Sequence, residues 1–213
     1  MSGTSFDPGC HACPRLASHL AEVKRAHPGY HAAPVAPFGD PAARLLVVGL
    51  APGLHGANRT GRPFTGDHAG ILLYETLHKF GLASAPVSVS REDSLTLLDC
   101  RITNAVKCLP PANKPLPSEI STCNRFLAAE LAKTPPDAVF IALGRIAHEA
   151  VLRALGLRPA GFEFGHGAEH RLGNRVLIDS YHCSRYNTQT RRLTPAMFES
   201  VFARVRLLLE ASR

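Results

Sequence analysis

No stretch of this chain is apolar for long enough to cross a bilayer as a helix, and the residues from Met1 to Cys13 lack the apolar segment of a secretory leader. The expected location is therefore the cytoplasm. There is no internal repeat, low-complexity tract or linker, and the charge is not gathered into a basic tail. These absences exclude a solenoid and a disordered polyanion-binding arm. What remains is ordinary for a globular protein: 213 residues, 45% hydrophobic and 19% charged, enough to bury one core. One domain spanning 1–213, acting as a monomer, is the default expectation. The net charge of +7 favours a polyanionic partner such as nucleic acid, which must be met by a folded surface.

Six cysteines are present, and in a reducing compartment they are poor candidates for disulfides. Cys10 and Cys13 form a C-x-x-C pair, so two sulfurs can reach one metal centre from a tight turn. Cys108 and Cys123 flank a proline-stiffened loop that contains Pro-Pro-Ala-Asn-Lys-Pro. Four thiolates suit tetrahedral zinc or a cubane iron–sulfur cluster, and spacing alone does not separate the two. Either would tie the N-terminus to the loop after the second strand. Cys100 and Cys183 read as buried, inert thiols.

Four apolar runs read as buried strands: Arg44–Gly49, Arg101–Val106, Ala138–Leu143 and Arg175–Tyr181. Helical spacing, prolines and glycines predict helices over Pro14–Ala26, Ala69–Phe80, Pro117–Lys133 with Ser118 as its cap, Gly144–Leu155 and Thr194–Ser212. The segment Pro159–Gly173 fits neither period and reads as a loop or short hairpin. Strands alternating with helices predict a three-layer α/β/α domain around a central, mainly parallel four-stranded sheet. In such sheets ligands bind at the carboxyl ends of the strands. The segments after Gly49, Val106, Leu143 and Tyr181 are thus the places to look.

Between the first strand and its helix lies GLAPGLHGANRTGRPFTGDHAG, with six glycines and two prolines. Glycines let the backbone approach a ligand closely, and N–H groups at a helix start favour anions or carbonyl oxygens. The loop is neither a Walker A sequence nor a dinucleotide fingerprint. Asp67 stands where a helix cap belongs, and Phe64 is a lone aromatic among small residues.

This loop resembles the first motif of the uracil-DNA glycosylase superfamily, and within it that of family 5, the type B enzymes. Families 1 and 4 carry an acidic residue where Ala51 stands, whereas family 5 is similar to this chain in its Gly-Leu-Ala-Pro-Gly and Arg-Pro-Phe-Thr-Gly-Asp. Ile102–Cys108 followed by Pro-Pro and Asn113-Lys114-Pro115 resembles the second motif, and Tyr181–Thr190 resembles the terminal His-x-Ser-x-x-Asn motif. With the four cysteines, the likeness runs the length of the chain in order.

The resemblance implies a monofunctional DNA-repair glycosylase that flips a nucleotide out of the duplex and hydrolyses the bond between uracil and its sugar, with hypoxanthine and xanthine as further substrates. It implies a 4Fe–4S cluster on Cys10, Cys13, Cys108 and Cys123. His182 becomes the expected donor to the base O2, and Asp67 the group that orients water or steadies the sugar cation. Phe64 is expected to stack on the flipped base, Asn104 to read its edge, and the backbone of Ala51 to Gly53 to complete the pocket. Asn58 is a fallback polar group of the glycine-rich loop, expected at the DNA, and Arg185, Tyr186 and Asn187 form a polar loop expected there too. Two other readings stand beside this one. A zinc hydrolase is disfavoured because no His-Glu-x-x-His motif is present. A non-catalytic metal-containing nucleic-acid-binding module would explain charge and cysteines but not the glycine-rich loop with Phe64 and His182.

Overall fold

The computed structural model of the protein describes residues 6–211. Six strands form one sheet in the order β1-β3-β2-β4-β6-β5: β1 Phe38–Gly39, β2 Leu45–Gly49, β3 Cys100–Asn104, β4 Val139–Leu143, β5 Glu169–Leu172 and β6 Arg175–Ser180. The inner four run parallel, and β1 and β5 pair antiparallel at the two edges. The inner strands are the four apolar runs read from the sequence. Of the two edges, β1 was not expected, whereas β5 lies in Pro159–Gly173, the segment read as a loop or short hairpin. β1 is two residues long, too short to show alternation. β5 is polar because it packs on one side only; its alternating exposed and half-buried residues form the second arm of a hairpin with β6. A six-stranded sheet therefore replaces the expected four.

Alternation of side chains across the parallel strands divides the core into two layers. Leu45, Val47, Ile141 and Ile178 face α3 (His68–Lys79) and α7 (Pro195–Ala211), meeting Leu73, Leu77, Phe198 and Phe202. Leu46, Val48, Phe140 and Leu177 face α1 (Pro14–Ala26), α4 (Pro117–Leu131) and α5 (Arg145–Ala154). The result is the expected helix–sheet–helix sandwich. The last residue predicted for α7, Ser212, lies outside the described residues.

Two details of the helices differ from expectation. The cap of α4 is Leu116, with Pro117 at the first helical position; Ser118 lies inside the helix. The carboxylate of Glu119 accepts the Leu116 N–H at 2.7 Å and also accepts from Arg15 at 2.7 Å and 2.8 Å, so one acidic residue closes the helix start and ties α1 to α4. Arg185–Gln189, expected as a loop, is a short helix, α6, capped by the Ser184 hydroxyl. A four-residue helix, α2 (Ala57–Thr60), interrupts the glycine-rich loop. No helix among the described residues is long and apolar enough to cross a membrane.

Candidate active site

The chain leaves β2 toward β3 on one side and later crosses to β4 on the other. This reversal opens a crevice at the carboxyl ends of the strands. A cavity of about 1150 Å³ occupies it. Its wall includes Ala51, Gly53, Phe64, Asp67, Asn104, His182 and Arg185, which come from the loop after β2, the last residue of β3 and the segment that follows β6. Residues separated by more than a hundred positions thus meet around one space.

Phe64 forms the floor and is 6% exposed. Its backbone sits at φ 54°, a left-handed conformation that strains a residue with a side chain. Two glycines make room for it. A Cβ on Gly70 would lie 1.8 Å from the Phe64 carbonyl oxygen, and one on Gly49 would lie 2.5 Å from both the Phe64 ring and the Asn104 Oδ1. The Phe64 ring stacks near the His182 ring, with centroids 5.8 Å apart and planes 26° from parallel.

His182 follows β6. Its Nδ1 is enclosed without a hydrogen-bond partner, whereas its other ring nitrogen is not so enclosed. Burial pushes its pKa down to about 4, so the ring is neutral at neutral pH. The Asn187 side-chain amide donates to the His182 carbonyl at 2.8 Å, fixing the peptide that carries the imidazole. Asn187 is absent from the cavity wall.

Asp67 caps α3: its Oδ1 accepts the Gly70 N–H at 3.1 Å. Its Oδ2 turns the other way, onto Gly53 and Gly56, where a Cβ on Gly56 would come within 2.1 Å. Burial raises the carboxyl pKa, against the backbone hydrogen bonds from Gly70 and Ala69 that lower it. One oxygen thus holds the helix while the residue still lines the cavity. The Asn104 amide borders the same space and meets no protein hydrogen-bond partner among the described residues. Both ends of that amide are available to a ligand.

At the rim, Arg185 lines the cavity and Tyr186 beside it is 71% exposed. Asn58 corrects the expectation placed on it. Its side chain is fully buried, its amide atoms lack partners, and it offers no surface to DNA. The helix α2 turns it inward, which a loop reading of that segment did not anticipate.

Other wall residues were missed. Pro86, Val87 and Ser88 form a side of the cavity, and no local signal in the sequence marks them. They are held by Arg62, which is 5% exposed and donates to Ser88 at 2.9 Å, to Asp93 at 2.5 Å and to the Arg91 carbonyl at 2.8 Å while stacking over Phe38. Burial raises the Asp93 carboxyl, but Arg62 and three backbone N–H groups outweigh it and hold the pKa at about 2. Gly144 and Arg145 contribute the wall at the start of α5; the segment after Leu143 was marked by its position at a strand end, without a named residue.

On the far side of β3, Cys10, Cys13, Cys108 and Cys123 line a single recess with Leu16, Ala17, Val106 and Phe126. All four are free thiols. Burial, and then the neighbouring sulfurs, pushes the Cys108 thiol up to about 12 and raises Cys13 as well. Thiols crowded in this way are stabilised as thiolates by a cation placed among them. The Lys107 N–H points at the Cys123 sulfur at 3.3 Å and an Arg125 N–H at the Cys10 sulfur at 3.7 Å, both donors suited to anionic sulfur. The donor set fits a four-sulfur metal centre. Cys100 and Cys183 are fully buried elsewhere, in the α3–α7 layer.

A mainly parallel sheet whose strand ends border a partly apolar cavity, lined by an aromatic ring, a neutral imidazole and an aspartate, is the architecture of an α/β enzyme. Residues 36–206 match the uracil DNA glycosylase superfamily. The type-5 uracil-DNA glycosylase of Thermus thermophilus is 51% identical over 210 residues, covering 96% of this chain and 93% of the relative. That of Mycobacterium tuberculosis is 44% identical over 211 residues, covering 93% and 78%. A type-4 uracil-DNA glycosylase of Thermotoga maritima is 40% identical over 110 residues, 51% of this chain and 49% of the relative. The chain belongs to the uracil-DNA glycosylase superfamily, in its type-5 group.

Proposed function

We propose that this protein excises uracil from DNA by hydrolysing the N-glycosidic bond, and that it accepts other deaminated bases, hypoxanthine and xanthine among them. The observation that carries this reading is the meeting of Phe64, Asn104, Asp67 and His182 around one cavity. The base stacks on Phe64, and its edge is read by Asn104. As the bond to the sugar breaks, negative charge gathers on the departing base and positive charge on the sugar. His182, neutral at working pH, donates to the base O2 and stabilises the developing anion without first losing a proton. Asp67, as carboxylate, steadies the sugar cation and orients the water whose oxygen adds to the sugar carbon. Ala51 leaves the wall above the base short and apolar, which suits a range of base shapes. Backbone groups of Ala51 to Gly53 complete the pocket. No lysine is among the lining residues, and the reading is accordingly of a monofunctional enzyme.

Arg185 and Tyr186 meet the DNA at the rim, the guanidinium on phosphate and the exposed ring against the bases beside the vacated position. In this reading the protein is a single-domain monomer. Cys10, Cys13, Cys108 and Cys123 hold a 4Fe–4S cluster in this reading. The cluster supplies structure: it fastens the N-terminal turn and α1 to the loop after β3 and to α4.

An oligonucleotide with one uracil, incubated with the protein and then treated with alkali, should break at the uracil position. An intact strand under conditions where the protein is folded and brown would overturn the activity. Broad visible absorbance that bleaches on reduction identifies iron–sulfur; a colourless protein holding zinc would overturn that assignment.

A further inference from the structure

Lys107 is the anomaly of the interior. It is 1% exposed, and a buried ammonium carries a desolvation cost that pairing offsets only with good geometry. Its three protons are fully used: Nζ donates to Glu130 Oε1 at 2.6 Å, to the Asn104 carbonyl at 2.8 Å and to the Thr103 hydroxyl. Apolar replacements of such pairs are often as stable as the pair itself. The network is also incomplete. Glu130 Oε2 and Arg101 Nε are buried without hydrogen-bond partners, 3.7 Å from each other. Stability alone is a weak reason for this arrangement.

Position supplies a better one. Lys107 stands between the two centres of the molecule. Its backbone N–H points at the Cys123 sulfur, and its side chain holds the carbonyl of Asn104. The next two N–H groups, of Ala105 and Val106, donate to Gly49 and Leu50 at 2.9 Å and 3.0 Å. The peptide after Asn104 is thus clamped from both sides. The clamp matters because the Asn104 amide has little room: its Oδ1 lies where a Cβ on Gly49 would be only 2.5 Å away. We propose that Lys107 is a positioning residue that sets the Asn104 amide at the cavity and joins it mechanically to the cysteine-bearing loop. This inference rests on the reading of Asn104 as the group that recognises the base.

A double-mutant cycle tests it. Lys107→Met, Asn104→Ala and the double variant are compared for kcat and KM on the uracil oligonucleotide, with visible absorbance and Tm recorded for each. Lys107→Met should lower kcat/KM roughly tenfold to a hundredfold, the scale of a misplaced contact. The loss should fall on kcat, with KM changed less than about threefold, and the absorbance should be unchanged. In the Asn104→Ala background the same substitution should cost nothing more, because the lysine acts through the asparagine. Additive losses, or wild-type kcat/KM for Lys107→Met, overturn the proposal. Full activity of Asn104→Ala overturns the base-reading assignment and this proposal with it, a distinct outcome. If Lys107→Met yields no soluble protein, Thr103→Val takes its place in the cycle. It removes one acceptor and leaves the ion pair, and its loss must likewise vanish in the Asn104→Ala background.

Discussion

Replacing Asp67 by asparagine separates two roles that one carboxylate performs. Oδ1 accepts the Gly70 N–H at the start of α3, and asparagine caps a helix about as well as aspartate. The helix start therefore survives the change. Two smaller effects oppose each other. The charge is favourable at the helix N-terminus by about 0.3–1 kcal/mol. Against that, burial raises the Asp67 pKa, so the folded state prefers the protonated acid. The sign follows from linkage: the ionised group weakens the fold progressively as pH rises from the unfolded pKa to the raised folded one, and the deficit persists at higher pH. Asparagine removes that deficit. The Tm of Asp67→Asn should therefore equal that of the wild type or exceed it slightly at neutral pH. Asp67→Ala loses the cap, about 1 kcal/mol, or roughly 2–4 °C for a chain of this size. Turnover should behave differently, falling roughly 10²- to 10⁴-fold in both variants, the usual contribution of a positioned acid–base group. Differential scanning calorimetry and single-turnover cleavage of the uracil oligonucleotide read the two quantities separately. Wild-type turnover in Asp67→Asn would refute the catalytic assignment and leave Asp67 a cap. A matching Tm loss in both variants would refute the capping argument.

His182→Ala should lower kcat about 10²- to 10³-fold, as removal of one donor to a developing oxyanion does, with the visible spectrum unaltered; equal turnover would remove the donor role. Because burial holds the His182 pKa at about 4, the imidazole stays neutral down to that pH. Burial raises the Asp67 carboxyl from its ordinary value, so the part of the acid limb that Asp67 carries is shifted to higher pH and should vanish from the residual activity of Asp67→Asn. Gly49→Ala places a methyl within 2.5 Å of Phe64 and Asn104; it should abolish uracil release while costing about 1–3 kcal/mol of stability in denaturant titration, and an active variant would show that the base does not lie on Phe64. Serine at any of Cys10, Cys13, Cys108 or Cys123 should lose colour and soluble yield, measured as iron per chain; four brown variants would refute the ligand set.

The inner sheet was legible because parallel strands buried on both faces must be continuously apolar, and Leu45–Gly49 and Val139–Leu143 are fully buried throughout. Helices announced themselves through spacing, Pro14 and Pro117 at their starts, and Gly81 and Gly156 beyond their ends. The cysteine pairs and the glycine-rich loop were visible as composition. Legibility was partial where polar sequence masks regular structure. Glu169–Leu172, within the segment read as a loop or short hairpin, pairs as a strand with its hairpin neighbour Arg175–Ser180, and Arg185–Gln189 is a helix although its polar sequence reads as a loop.

The candidate site divides in the same way. Sequence alone determined which chemistries were on hand: a histidine after the last inner strand, an aspartate at a helix start, an aromatic among glycines and four thiols that can share a metal. Only tertiary structure decided that Asn58 turns inward, that Pro86–Ser88 walls the cavity through the buried Arg62, and that Lys107 stands between Cys123 and Asn104. The reason is physical. Local propensity and periodicity act over one turn or one strand, whereas the enclosure of a cavity depends on which distant segments pack together.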